Sequence, residues 1–313
     1  MAKQIKHTMM LTALTITIST SIAVAAQEIK PPTLEPVAQF EAHREVLRKA
    51  VALHDRGEYD EAIRMYESVL KENPADVSAI YELGYSFFAK GDYKKSLETA
   101  YRGAAYKSKL LSGFYTLIGN NLDQLGQPEK ALKVYGEGVK QFPRAGQLHY
   151  NMAVTLLQLH KPDDARKSLK EAVRATPDHA SSHLALSQVY IESGYKIPAL
   201  LAACRFLMLE PNSQRSGQAL QIVKQITQGN VTSEKDSKNI NILIDTKEKT
   251  DEGDFTSLGL ALGILGAGRY LKESKNKTEA QLFAEGLSSL LAIMSESDQK
   301  SSGFAWQYYR PYF

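Results

Sequence analysis

The chain has 313 residues, 43% of them hydrophobic and 23% charged, enough apolar material for one large or two modest packed domains, which excludes wholesale disorder. Its formal charge of +3 falls to 36 basic against 35 acidic residues once Lys3 and Lys6 of a predicted leader are set aside; such a chain lacks the basic footprint that a phosphate backbone demands, so nucleic acid is not an expected partner. The single cysteine, Cys204, excludes an intrachain disulfide, a cysteine zinc cluster and a CxxC redox centre.

Residues 1–26 read as a secretory signal peptide. Lys3, Lys6 and His7 make a basic start, Met9 to Val24 is an apolar run diluted by threonine and serine, and Ala23-Val24-Ala25 offers the small residues that precede cleavage. Cleavage is expected before Ala26 or Gln27. No cysteine follows the run, so acylation as a lipoprotein is not expected. An exported chain without cysteine pairing fits the periplasm or cell envelope of a bacterium. Residues 27–42 follow as an N-terminal linker.

A repeat dominates the middle of the chain. Units begin at His43, Val77, Ser112, Gly146 and Ala180, with spacings of 34, 35, 34 and 34 residues. Two columns are small throughout: the eighth place holds Ala50, Gly84, Gly119, Ala153 and Ser187, and the twentieth holds Ala62, Ser96, Ala131, Ala165 and Ala199. Small side chains are what two antiparallel helices need where their backbones cross. The seventh place (Leu83, Ile118, Met152, Leu186) and the eleventh (Leu53, Phe87, Leu122, Leu156, Tyr190) put an apolar stripe on the first helix. Gly57, Gly91, Gly126 and Gly194 mark the turn between helices, with His160 in that slot in unit four. Pro74, Pro143, Pro177 and Pro211 close units, and Ser108 stands in for proline in unit two.

The segments GEYDEAIRMYESVLKENPAD, GDYKKSLETAY, GQPEKALKVYGEGVKQFP and KPDDARKSLKEAVRATP resemble tetratricopeptide repeats. The resemblance spans residues 43–213, in units 43–76, 77–111, 112–145, 146–179 and 180–213, and departs from the pattern at Lys49 and Ser108. It implies an all-α, right-handed superhelix of helix pairs whose concave groove binds a peptide or protein segment.

Residues 214–229 continue as one helix with Ala219, Ile222, Val223 and Ile226 on one side, the expected cap of the array. Residues 230–254 are polar and charged, interrupted by Ile240 to Ile244, and are expected to be a linker. From Phe255 the chain changes again, to a C-terminal helical module over 255–313. Its first apolar run, LGLALGILGAGRYL, has a GxxxG spacing at Gly259 and Gly263 but is too short to span a bilayer, so a buried helix is expected. A second helix is predicted over Thr278 to Met294, with Leu282, Phe283, Leu287, Leu290, Leu291 and Met294 on its apolar face. The ending GFAWQYYRPYF packs six aromatics into eleven residues and is expected to fold onto those two helices, the alternative being an anchor to a membrane surface or partner.

If the first helix of each unit lines the groove, as the resemblance implies, the second, fifth, ninth, twelfth and thirteenth places face it. They supply Tyr81, Tyr85 and Phe88 in unit two; Thr116, Asn120, Asp123 and Gln124 in unit three; Tyr150, Val154, Leu157 and Gln158 in unit four; and Leu184, Gln188, Ile191 and Glu192 in unit five. Tyrosines offer contact area at small entropic cost and amides pair with an extended backbone, which is the chemistry of peptide capture. Grooves of this family that hold a terminal carboxylate clamp it with lysine, asparagine and arginine. Asn120 and Asn151 match the amide places, but Thr116, Ser181 and Ala185 stand where the basic residues belong, so the expected ligand is an internal segment or a folded surface.

No catalytic, cofactor or metal site is expected. His179 and His183 share a helical spacing beside Asp178 but bring no third ligand, Cys204 has no base beside it, and neither a nucleophile elbow, a phosphate loop nor a dinucleotide fingerprint is present. The reading is a non-catalytic adaptor of the cell envelope that binds a protein partner. The alternatives are an enzyme or enzyme subunit with its site in 255–313, and a membrane-associated assembly factor held by the C-terminal region.

Overall fold

A computed structural model describes residues 28–228, 231–233, 240–242, 251–270, 274, 276–296 and 303–313. The predicted leader lies outside them. The described part is helical apart from one two-stranded hairpin, and its first ten helices form the predicted antiparallel pairs. They are α1 (Glu41–Asp55) with α2 (Tyr59–Glu72), α3 (Val77–Lys90) with α4 (Tyr93–Ala104), α5 (Leu111–Gln124) with α6 (Pro128–Gln141), α7 (Gly146–Gln158) with α8 (Pro162–Ala175), and α9 (Ala180–Glu192) with α10 (Lys196–Leu209).

The helix ends are written locally. Gly57, Gly91, Gly126 and Gly194 take positive φ between 71° and 87°, and His160 is the one described non-glycine residue to do so, at 56°. Asp76 and Asp92 cap α3 and α4 by accepting from the amides of Ala79 and Lys95 at 3.0 and 3.3 Å. Pro128 and Pro162 open α6 and α8, where no amide donor is required. Where unit two lacks its proline, Ser108 Oγ accepts from the Leu110 amide at 3.1 Å and turns the chain into α5.

The two small columns lie at the helix crossings. Every residue of the twentieth place is fully buried, and at Gly119 an added Cβ would stand 2.2 Å from the Tyr135 ring. The polar member, Ser96, is accommodated by donating to the Gly84 carbonyl at 2.7 Å and accepting from Asn121 Nδ2 at 2.8 Å. The apolar interior falls into two clusters that meet at α7. One runs from Leu47 to Leu148; the other runs from Ala153 to the C terminus.

Beyond the pairs, the structure departs from the expected division. Helix α11 (Ser216–Gln228) buries Ala219, Ile222, Val223 and Ile226 as read, but it does not end the array. It packs on α9 and α10 and, in turn, against α12 (Thr256–Ala267) and α13 (Glu279–Glu296). The span 230–254 contains strands β1 (Val231–Ser233) and β2 (Ile240–Ile242), paired antiparallel with Val231 opposite Ile242. Its end is tied down: Glu252 is fully buried, with its carboxylate on Arg166, on Lys170 Nζ at 2.8 Å and on the Tyr190 hydroxyl at 2.9 Å. A charged run reads as solvated because its partners lie 62 to 86 residues earlier, beyond any local pattern.

The aromatic ending also docks elsewhere than expected. Helix α14 (Phe304–Tyr309) lies on α8, α9 and α10: Tyr309 Oη bonds His183 Nδ1 at 3.0 Å, Tyr308 Oη donates to the Val173 carbonyl at 2.8 Å, and the Arg205 guanidinium stacks over Tyr312 at 4.1 Å. The ending also touches the C-terminal helix pair, through Trp306 against Phe255 and Arg310 on the Ser295 carbonyl, and shares one apolar cluster with Leu258, Leu262, Leu290 and Met294. The buried face of α13 is made by Leu290 and Met294, while Leu282, Leu287 and Leu291 are half-buried. The span 27–42 is likewise no free linker, since the amides of Thr33 and Leu34 both donate to the Ala105 carbonyl at 3.0 Å and Lys107 donates back to Leu34 at 2.9 Å. Gly263 of the GxxxG pair is buried in α12, as expected, whereas Leu260 and Ile264 are exposed. No helix among the described residues is long and apolar enough to cross a membrane.

Candidate partner-binding groove

The first helices α3, α5, α7 and α9 carry the predicted groove residues. Tyr85, Gln124, Gln158, Gln188 and Glu192 are exposed; Tyr81, Phe88, Thr116, Asn120, Asp123, Tyr150, Asn151, Val154, Leu157 and Ile191 are half-buried. Leu184 is the exception. Only 5% of it is accessible, because it packs into the cluster that continues through α11, and it is not a groove contact.

At the N-terminal end the side chains form a row of rings. His54 stacks on Tyr85 at 5.2 Å, Tyr85 lies parallel to Tyr81 at 6.3 Å, and Tyr81 meets Phe114 edge-on at 5.4 Å. Tyr81 is thereby half part of the core, closing over Gly113, where a Cβ would come within 2.8 Å of its ring. Tyr85 gives up no such packing and keeps 44% of its surface.

Across α5 and α7 the row becomes polar. Asn120 Oδ1 accepts from Asn151 Nδ2 at 2.7 Å and from the Tyr135 hydroxyl at 2.6 Å, and Gln147 Nε2 donates to Asn151 Oδ1 at 2.7 Å. Asp123 Oδ2 accepts from Thr155 Oγ1, while its other oxygen is buried without a partner. Burial raises the Asp123 carboxyl above its ordinary pKa, and the Thr155 and Tyr135 hydroxyls offset this only in part. At the places where the clamp's basic residues belong, Thr116 is turned back onto the Ser112 carbonyl at 2.9 Å, and Ser181 accepts at 2.7 Å from Arg215, which is paired with Glu210.

Three residues beside this row, His54, Asp55 and Glu82, lie outside the predicted set. His54 and Asp55 occupy the twelfth and thirteenth places of unit one, so the same count begun one unit earlier finds them. Glu82 and Asn151 share the sixth place, the side of the first helix that meets the preceding unit. Burial lowers the pKa of His54, and burial followed by repulsion from Asp55 raises that of Glu82.

The other candidates are structural. His183 is fully buried, with Nε2 on the Pro177 carbonyl at 2.9 Å, and His179 Nδ1 meets Ser182 Oγ at 2.7 Å. Burial pushes the Cys204 thiol up to about 12, which keeps it protonated. Among the described residues no group of three His, Cys, Asp or Glu side chains could hold a metal ion.

Comparison with known proteins agrees with the repeat architecture. Residues 47–109 and 124–189 match two family models, each described as tetratricopeptide repeat. The TPR repeat-containing protein YpiA of Bacillus subtilis (strain 168) is 27% identical over 146 residues, 46% of this chain and 33% of that protein. The protein O-mannosyl-transferase TMTC2 of Homo sapiens is 32% identical over 110 residues, 34% of this chain and 13% of the transferase. The chain thus spans a third or less of the curated relatives it matches. Among solved structures, TTC0263, a thermophilic TPR protein of Thermus thermophilus, is 27% identical with a TM-score of 0.50, covering 57% of this chain and 99% of that one. PilF of Pseudomonas aeruginosa, at 16% identity and a TM-score of 0.50 over 60% of this chain and 89% of that one, shares the fold.

Proposed function

We propose that this chain, a tetratricopeptide-repeat protein, is a binding scaffold whose first-helix face holds an extended segment of a partner protein. The observation that carries this reading is the distribution of cover. Residues 33–38 pack along the ends of α2 and α4 and residues 303–313 across α8 to α10, while Tyr85, Gln124, Gln158 and Gln188 on the first helices remain exposed. Rings for side chains and amides for backbone stand in one row there. The chemistry is recognition by shape and hydrogen bonding, with no bond made or broken. The leader-like composition of residues 1–26 supports a location in a bacterial periplasm or cell envelope.

A photocrosslinking side chain at Gln124 or Gln158 should capture a protein in cells that the same group at Lys133 or Lys167, exposed on second helices, does not. A fragment of the captured protein should bind the purified chain, and Tyr85→Ala should weaken that binding by about 1 to 3 kcal/mol without lowering stability. Equal capture from both faces, or unaltered binding by Tyr85→Ala, would overturn the groove reading. Fractionation with an envelope marker tests the location.

A further inference from the structure

The groove has a sign. At the second, fifth, sixth, ninth, twelfth and thirteenth places of units two to five there is no lysine or arginine, while Glu82, Asp123 and Glu192 stand there. Unit one adds Asp55, and its two arginines at such places are neutralised on their own helix, Arg44 by Glu41 at 2.8 Å and Arg48 by Glu45 at 2.9 Å. Arg215, at the far end, is paired with Glu210. The first-helix face therefore carries net negative charge although the chain as a whole does not.

That charge meets the ring row in units one and two. Glu82 is half-buried beside Asp55 and makes no ion pair or hydrogen bond in the described structure. Tyr85, one turn along α3 from Glu82, keeps 44% of its surface exposed, with the His54 ring stacked on it at 5.2 Å and Tyr81 parallel at 6.3 Å. Tyr66 is fully buried, and its hydroxyl lies beside Ser86 in the field of Glu82 and Asp55. A half-buried carboxylate repelled by a second one is a cost that a bound cation removes. Aromatic faces attract the same kind of group.

We infer that units one and two form a subsite for a cationic side chain, in which an arginine or lysine of the partner segment lies on the rings of Tyr85 and Tyr81 with its charge against Glu82 and Asp55. This rests on the groove reading and gives it a polarity: the partner segment is basic where it crosses α1 and α3. Burial and then repulsion from Asp55 raise the Glu82 pKa, and His54, stacked on Tyr85 and held below its ordinary pKa by burial, becomes cationic on acidification, so both groups weaken the subsite as pH falls.

The test uses the full chain and three labelled, end-blocked peptides of equal length carrying two arginines, two citrullines or two glutamates between serine and glycine spacers. Anisotropy gives affinity and backbone amide shifts give the place. The arginine peptide should bind about tenfold tighter than its citrulline twin, with shifts centred on 51–59 and 78–89. The preference should vanish in Glu82→Gln and in Tyr85→Ala and persist in Glu67→Gln, whose side chain is exposed on α2. Glu82→Gln should also melt higher at neutral pH, which separates lost recognition from lost folding. Equal binding of arginine and citrulline peptides along α3, α5 and α7 would sink the cation subsite and leave the groove standing. Shifts confined to α2, α4 and α6 would remove the groove reading itself, and no binding of the arginine peptide, or an undiminished preference in Glu82→Gln, would overturn the subsite.

Discussion

Glu252 shows how much one side chain far along the sequence can decide. Its carboxylate is sealed between Arg166, Lys170 and Tyr190, and Gly303 crosses its backbone so closely that a Cβ there would sit 1.9 Å from the Glu252 carbonyl carbon. Removing one member of such a pair strands the others, so Glu252→Ala should cost about 3 to 5 kcal/mol in urea denaturation. His183 acts through pH. Burial lowers its pKa to about 4, so the unfolded chain takes up the proton first as pH falls. The stabilisation from neutral His183 is therefore present above the ordinary histidine pKa and lost as pH drops from there through about 4, at most roughly 3 kcal/mol. A stability profile that stays flat over that window, or one that His183→Gln leaves unchanged, would contradict this.

At the scale of elements, α14 is the piece whose removal discriminates best. It supplies Phe304, Trp306 and Tyr309 to the cluster around α8, α9 and α10, all but lost from solvent. Deleting residues 303–313 should therefore raise hydrogen exchange in α8, α9 and α10 and leave α1 to α5 protected, because contacts in a repeat array are local. Trp306 is the only tryptophan and is 3% exposed, so the intact chain should emit in the blue and resist aqueous quenchers. Damage confined to α12 and α13 after the deletion would restore the capping role that the sequence alone assigns to this segment.

The whole molecule is an array with two interiors. Phe114 belongs to the first cluster, fully buried and in contact with Gly103 and Tyr81, and Phe114→Ala should cost about 3 to 5 kcal/mol. The loss of exchange protection should be concentrated in residues 41–141, with the second cluster largely unaffected, and Glu252→Ala should give the reverse pattern. Uniform loss in both variants would show one cooperative core instead of two blocks meeting at α7.

The sequence by itself determined the repeat. Small residues at the eighth and twentieth places, glycine at the inter-helix turn and proline after the second helix are short-range requirements, and a period of 34 residues makes them visible. That Tyr85, Gln124 and Gln158 share the exposed side of α3, α5 and α7 was legible for the same reason, since helical spacing assigns a face without knowledge of the partner helix. Only the tertiary structure decided what had no period. The ion cluster at Glu252, the docking of α14 on α8 to α10 and the burial of Leu184 all depend on contacts between segments far apart in the chain. Charge and aromatic content alone cannot say whether such residues are solvated or enclosed, because the burial energy comes from a surface that exists only once the array has folded.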